Sequence, residues 1–126
     1  MCGVNTGSGM SYSPIHPSSA ESVCSANLAA LLENIPDVQI IDIREASDYV
    51  VDHIDEARNF PMQDFASLSQ EILANPQTAY LLHCYSGYTV AVYGSYLVEM
   101  GAKNVYYFDE SFYELKQALR AYRKEQ

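Results

Sequence analysis

Cys84 is the residue in this chain best placed to do chemistry, because it joins an apolar run to a stretch of helical character. The apolar run covers 78–83, and the loop Cys-Tyr-Ser-Gly-Tyr-Thr separates it from the helix-forming stretch 90–100. A thiol at such a junction faces backbone N–H groups and the positive end of a helix dipole, and both favour the thiolate. Since the thiolate is the nucleophilic form of cysteine, the sequence predicts that Cys84 is the centre of the activity.

Strand and helix signals alternate along the rest of the chain. Residues 1–17 are rich in Gly, Ser, Pro and Asn and predict a flexible arm, with one domain over 18–126. Ser18 or Ser19 is the expected N-cap of a first helix that ends at Pro36. Short β-branched or aromatic runs predict strands at 38–43, 57–60, 78–83 and 104–108, and the segments between and after them predict helices at 45–51, 65–73, 90–100 and 112–123. This alternation is typical of an α/β fold whose parallel sheet binds ligands beyond the carboxyl ends of its strands, where Cys84 lies.

Composition excludes several classes of function. The chain has 126 residues, 16 acidic against 7 basic, and a formal net charge of −9. Such a surface repels nucleic acid and anionic membranes, so we expect no nucleic-acid partner. No apolar run approaches the roughly 18–20 residues of a membrane span. The three cysteines are widely spaced and form no C-x-x-C pair, which argues against a disulfide scaffold and a zinc site. We therefore expect no metal and no cofactor.

The cysteines also bear on the cellular compartment. An unpaired set in a chain with no signal-peptide pattern favours a reducing compartment, and the cytoplasm is the first expectation. Cys2 leaves one alternative open. It precedes a polar Gly/Ser-rich tail, as a lipid-anchored extracytoplasmic form would if its signal had been trimmed.

Two segments together resemble the single-domain rhodanese family, sulfurtransferases that carry sulfur as a cysteine persulfide. The first segment matches the family's strand–helix signature through Ile41-Asp42-Ile43-Arg44-Glu45, Tyr49, His53-Ile54, Ala57, Asn59 and Pro61. The second is the Cys84 loop, which matches C-x-x-G-x-[R/T] and is followed by Gly101 and Asn104-Val105-Tyr106. The resemblance covers about residues 20–120.

The resemblance implies a central five-stranded parallel sheet flanked by helices on both faces. It also implies that Cys84 takes a sulfane sulfur from thiosulfate or a persulfide and passes it to cyanide, a thiol or a protein acceptor. The substrate-binding loop would be Tyr85, Ser86, Gly87, Tyr88 and Thr89. Gly87 can adopt a positive φ that curls the backbone towards the sulfur, and the Ser86 and Thr89 hydroxyls can donate to the same point.

The sequence departs from the family pattern at two places. Thr89 stands where many relatives have Arg, so the loop carries no cation and should bind the thiosulfate dianion less well. After the last strand many relatives have a glycine pair and a tryptophan helix, whereas this chain has 108–113 without glycine or tryptophan. Both departures concern the rim of the site and the choice of substrate.

Three charged residues near the predicted sheet edge are candidates for supporting roles. Arg44 is expected to hold the strand-to-helix turn by hydrogen bonds, and Asp42 to orient a partner near the cleft. Arg58 could supply a cation at the cleft entrance. All three are interpreted as supporting Cys84 and not as reacting groups.

The remaining candidates have structural interpretations. A transfer that starts from a thiolate needs no general base, so His53 is expected to be packed or capping. His83 precedes Cys84 on a strand and should point to the opposite face, into the core. Cys24 is expected to pack on a helix.

Four alternatives to an ordinary sulfurtransferase remain, of which the last, arsenate reduction on the same scaffold, has no specific residue to support it. A phosphatase on this scaffold would need an Arg about five or six residues after the cysteine, but Thr89 and Val90 stand there and the next Arg is Arg120. A non-catalytic, regulatory interaction domain is the second. A persulfide carrier that serves one protein partner is the third, and it differs from the main prediction only in its acceptor.

Overall fold

Five parallel strands form the central sheet of residues 20–124, the part of the chain that the computed structural model describes. Their order across the sheet is β1-β5-β4-β2-β3, so β4 is the middle strand. The strands are β1 Glu21–Val23, β2 Gln39–Asp42, β3 Arg58–Asn59, β4 Tyr80–His83 and β5 Val105–Phe108. The predicted arm 1–17 and the predicted caps Ser18 and Ser19 lie outside the described residues.

Helices cover both faces of this sheet, as the α/β prediction requires. The helices are α1 Leu28–Asn34, α2 Ala46–Val51, α3 Phe65–Ala74, α4 Tyr88–Glu99 and α5 Phe112–Lys124, with 3-10 turns at Ser25–Asn27 and Met62–Asp64. On one face, α3 and α4 pack on the sheet in one core cluster. On the other face, α1 and α5 form a second cluster. The fold predicted from the sequence is confirmed.

The two central strands explain why their sequences are apolar throughout. Ile40 of β2 pairs with Leu81 of β4 on the α1/α5 face, and Ile41 pairs with Leu82 on the α3/α4 face. Successive strand residues point to opposite faces, so a strand covered on both sides needs apolar residues at every position. The same alternation directs Cys84 towards the α3/α4 face.

Strand β1 differs from the sequence prediction. Residues 21–23 were expected inside the first helix, but they form an edge strand whose Val23 pairs with Phe108 of β5. Helix α1 begins only at Leu28 and is preceded by a 3-10 turn. A strand of three residues has too little sequence pattern to identify it, and its conformation depends on pairing with a segment far along the chain.

Helix α4 also differs, because a helix that is apolar nearly all round was expected to be largely buried. Its inner side is buried through Val90, Tyr93, Gly94 and Leu97. Its outer side exposes the α4 stripe, defined here as Tyr88, Val92, Tyr96 and Met100, with 77%, 41%, 54% and 48% of each residue accessible. The spacing of four residues places these side chains along one ridge that begins at the Cys84 loop.

None of the helices of residues 20–124 combines the length and the hydrophobicity needed to cross a membrane.

Candidate active site

Cys84 follows the last residue of the middle strand, at the carboxyl edge of the sheet. Its thiol is free and buried, with 3% of the residue accessible. Sγ accepts a hydrogen bond from the backbone N–H of Gly87 at 3.3 Å, and Gly87 is the N-cap of α4. The sulfur therefore meets an N–H donor and the positive end of a twelve-residue helix, and both stabilise negative charge on it.

Gly87 gives the loop its shape in two ways. Its φ is +95°, a left-handed conformation in which a side chain is strained. A Cβ at this position would also lie 2.5 Å from the carbonyl carbon of Asp109, which follows β5. Glycine is therefore required both for the turn and for the close approach of the two loops. The predicted positive φ at Gly87 is confirmed.

Tyr85 ties the loop to two neighbouring elements. Its backbone carbonyl accepts from the N–H of Phe112 at the start of α5, at 3.1 Å. Its hydroxyl donates to the carboxylate of Asp48 and accepts from the N–H of Glu45 at 3.2 Å, both near the start of α2. The hydrogen bond to the Asp48 carboxylate raises the pKa of the Tyr85 phenol above its usual value. The loop is thus held from both sides while half of Tyr85 stays exposed.

The other loop residues differ in how far they are exposed. Ser86 and Tyr88 are exposed and Thr89 is half-buried. Tyr88 is also the first residue of α4 and the start of the α4 stripe. The hydroxyl donors proposed at Ser86 and Thr89 stay predictions.

Asp42 and Arg44 form a buried ion pair at the end of β2. The guanidinium Nη2 lies 2.9 Å from Oδ2 of Asp42 and donates to the carbonyl of Asp52 at 2.6 Å. The carboxylate also accepts the Arg44 backbone N–H at 2.9 Å, and the guanidinium stacks 3.9 Å from the ring centre of Phe112. These bonds close the turn between β2 and α2, as expected for Arg44.

Arg58 and His53 each contact a nearby residue, Glu71 and Tyr49 respectively, that accounts for the position of the side chain. Arg58, on the short edge strand β3, pairs with Glu71 of α3, and this hydrogen bond raises the pKa of the guanidinium and lowers that of the carboxyl. The His53 ring stacks 4.0 Å from Tyr49, whose carbonyl lies 2.8 Å from Nδ1. A role for Arg58 at the cleft entrance stays a prediction.

His83 is the feature that the sequence indicated least. It lies on the α1/α5 face as predicted, stacked 5.8 Å from the ring of Phe112. However, the imidazole is fully buried and neither ring nitrogen has a hydrogen-bond partner among the described residues. Burial lowers its pKa from 6.5 to about 4, so the ring is neutral. A buried histidine between Cys84 and an ion pair could not be distinguished from an ordinary core residue in the sequence.

Two further predictions from the sequence concern metal binding and Cys24. No group of three or more His, Cys, Asp or Glu within residues 20–124 is arranged to hold a metal ion. Cys24 is fully buried, as its expected packing role requires, but it is disulfide-bonded and precedes the first 3-10 turn instead of lying on a helix. Cys24 directly follows β1 and does not belong to the Cys84 loop.

Comparisons with solved structures show the same fold in proteins of low sequence identity. A reduced Bacillus anthracis protein described as CoADR-RHD has 22% identity and a TM-score of 0.64, over 81% of this chain but 17% of that one. The human single-domain sulfurtransferase TSTD1 has 17% identity and a TM-score of 0.64, over 78% of this chain and 96% of that one. Protein hp1203 from Helicobacter pylori has 20% identity and a TM-score of 0.61, over 77% and 83%.

The sequence itself was compared with protein families and with curated proteins. No curated protein sequence matches the chain. The model of the Rhodanese-like domain family matches residues 25–118, which include every strand but β1 as well as the Cys84 loop. The chain belongs to the Rhodanese-like domain family.

Proposed function

We propose that the protein is a sulfurtransferase that moves a sulfane sulfur from thiosulfate or a persulfide donor to a thiophilic acceptor through a persulfide on Cys84. The observation that supports this proposal most is the free thiol of Cys84, whose sulfur accepts a hydrogen bond from the Gly87 N–H at the start of α4. A persulfide placed on Sγ would extend the same negative charge towards the exposed side of the loop. The amide and the helix dipole would stabilise it there.

The reaction divides into two half-reactions. In the first, the Cys84 thiolate attacks the outer sulfur of the donor, the Sγ–S bond forms and the donor's S–S bond breaks. Thiosulfate thereby releases sulfite, and an organic persulfide RSSH releases the thiolate RS⁻. In the second, cyanide or a thiolate attacks the outer sulfur of the enzyme persulfide and Cys84 leaves as a thiolate. Each step is a two-electron displacement at sulfur, and dividing the transfer in this way is ordinary covalent catalysis.

Phosphate-ester hydrolysis has less support. A phosphoryl group needs donors or cations for three oxygens, and residues 84–89 contain no Lys or Arg. The nearest Arg on a neighbouring element, Arg44, has its guanidinium bonded to Asp42 and the Asp52 carbonyl. The loop suits a sulfur atom better than a phosphoryl group.

The test follows the sulfur itself. Purified protein is incubated with thiosulfate or an organic persulfide, and intact mass is measured before and after cyanide is added. We expect an adduct of one sulfur on the Cys84 peptide, its loss with cyanide, and one thiocyanate per adduct. Cys84→Ser should abolish both signals while circular dichroism and thermal unfolding stay unchanged. No adduct with any donor, or thiocyanate formation by Cys84→Ser, would refute the proposal.

A second candidate function is a protein-interaction domain, and the α4 stripe favours it. A contiguous exposed apolar patch is a common feature of protein contact surfaces. The same ridge starts at Tyr88, so it also suits a protein that receives sulfur from Cys84. The two functions differ in the mass experiment, because a purely interacting domain would gain no sulfur.

For the compartment we keep the cytoplasm and an extracytoplasmic location as candidates. The disulfide at Cys24 favours the second, since protein disulfides persist mainly in oxidising compartments. Alkylation of intact cells without reductant, followed by mass analysis of the Cys24 peptide, tests this. An alkylated Cys24 peptide would place the protein in a reducing compartment.

A further inference from the structure

Acidic residues stand on the elements that contact the Cys84 loop on two sides. On the α2 side, Tyr85 connects the loop to Asp48 and to the backbone of Glu45. On the other side, Asp109 and Glu110 follow β5, and the backbone of Asp109 lies against Gly87. Gly87 in turn donates to the sulfur at 3.3 Å. Four acidic residues therefore stand on the elements that touch the loop.

Within residues 20–124, the cation that lies against a loop side chain, Arg44, is already neutralised by a carboxylate. The loop has no Lys, Arg or His of its own. Arg44 lies 5.8 Å from the Tyr85 ring centre, but only 5% of it is accessible and its guanidinium faces Asp42 and the Phe112 ring. The acidic residues on these elements therefore outnumber Arg44, which is already paired. Of their carboxylates, that of Asp48 contacts Tyr85 and that of Glu110 accepts a hydrogen bond from the Ser25 hydroxyl. The burial of Asp109 and the charge of Glu110 raise the pKa of the Asp109 carboxyl, as expected for crowded, partly desolvated acids.

Aromatic rings complete the mouth. Tyr85 and Tyr88 have 49% and 77% of their residue surface accessible, and both belong to the loop. The face of a phenol ring attracts an ammonium or a quaternary amine, and this attraction adds to that of nearby carboxylates. A cation gains from both groups, whereas a dianion such as thiosulfate is repelled by the carboxylates.

We propose that the Cys84 site takes cationic organic persulfides, R–S–SH with an ammonium group on R, in preference to thiosulfate, and that Asp109 is the residue that determines this preference. The inference rests on the proposed function and names its substrate class. In the transfer, the Cys84 thiolate bonds to the outer sulfur, the donor's S–S bond breaks, and an aminothiolate leaves. The ammonium of that product offsets the negative charge of its sulfur near the acidic mouth.

Charge selectivity can be measured without turnover. Two methanethiosulfonates with the same reacting group, one bearing trimethylammonium and one bearing sulfonate, modify the Cys84 thiolate and release methanesulfinate. Their rates are followed on the Cys84 peptide at low ionic strength. We expect the cationic reagent to react faster in the native protein. In Asp109→Asn the ratio of the two rates should fall about fivefold, the order of effect expected when one charge on a contacting element is removed.

Asp37→Asn is the matched control, because Asp37 is exposed before β2 at the opposite edge of the sheet and changes the net charge equally. Its ratio should stay at the native value, and 1 M salt should reduce the native preference. Equal or faster reaction of the anionic reagent would overturn the inference. So would equal effects of the two variants, or a preference that 1 M salt leaves unchanged.

Donor kinetics then test the substrate class. The kcat/KM for thiocyanate formation is measured with cysteamine persulfide and with thiosulfate, and Asp109→Asn should lower the first and raise the second. If thiosulfate is the better donor in the native protein, the inference is wrong while the proposed function stands. If neither donor loads Cys84 but the reagent selectivity is found, the proposed function fails, and with it the substrate class.

Discussion

Nε2 of His83 lies 3.6 Å from Oδ2 of Asp42, and both side chains are fully buried. The carboxylate is already bonded to Arg44, so the imidazole remains neutral beside an ion pair without a hydrogen bond of its own. Protonating this ring would place a second cation next to Arg44 in the interior. The fold therefore keeps the side chain directly before Cys84 uncharged.

The first prediction concerns pH and stability. The His83 pKa is about 4 in the folded protein against 6.5 in the unfolded chain, so the unfolded chain binds the extra proton between these values. The free energy of unfolding should therefore fall as the pH drops below 6.5, by about 2 kcal/mol between pH 7 and pH 5. Urea denaturation at each pH measures it. His83→Leu cannot titrate and should lose most of this slope, and an unchanged slope would contradict the assignment.

The second prediction compares two glycines with positive φ. Gly87 and Gly101 have φ of +95° and +110°, but an added Cβ meets the Asp109 backbone only at Gly87. Gly101→Ala should cost about 1 kcal/mol of stability and leave sulfur loading unchanged. Gly87→Ala should cost more, roughly 2–3 kcal/mol, and slow the loading of Cys84 at least about tenfold, because the amide that faces Sγ must move. Equal effects of the two variants on loading would argue against a role for the Gly87 amide.

The third prediction separates a buried ion pair from an exposed one. Arg44→Gln leaves the fully buried Asp42 without its cation and should lower the free energy of unfolding by about 3 kcal/mol. Arg58→Gln removes the exposed partner of Glu71 and should cost less than about 1 kcal/mol. Urea denaturation of both variants at pH 7 gives the comparison. A large loss of sulfur transfer in a well-folded Arg58→Gln protein would instead support Arg58 as the cation at the cleft entrance.

The fourth prediction concerns the position where many relatives have Arg. Thr89 is half-buried at the end of the loop, so Thr89→Arg should place a cation near the donor and lower the KM for thiosulfate several-fold. Tyr96→Arg makes the same change in net charge two turns along α4 and serves as the control. A KM that is unchanged or raised in Thr89→Arg, or lowered equally in both variants, would contradict a local effect of charge.

Much of the fold could be predicted because its signals are local. The continuous apolar runs around Ile41 and Leu82 indicated strands buried on both faces, and the structure has them there. The short edge strand β1 could not be identified, because Glu21–Val23 has no pattern of its own and becomes a strand only by pairing with β5. The prediction that α4 is buried nearly all round was wrong for a related reason. Apolar residues indicate burial, but they do not show which of them have no neighbouring element to pack against.

The candidate site also has parts that could be predicted from the sequence and parts that could not. Cys84 and Gly87 could be identified from one short loop motif, and the structure places the Gly87 N–H on the sulfur. The contact of Tyr85 with Asp48 joins residues 37 positions apart, and the approach of Asp109 to Gly87 joins two loops. Neither has a sequence signal, because both depend on how the strands are ordered in the sheet.

The outer strands of the sheet are its shortest, with three residues in β1 and two in β3. An edge strand exposes unpaired N–H and C=O groups that another chain can extend, and short edges offer few of them. At high concentration this domain therefore presents little template for strand addition between molecules. Fibril growth would first require partial unfolding that uncovers the four-residue central strands.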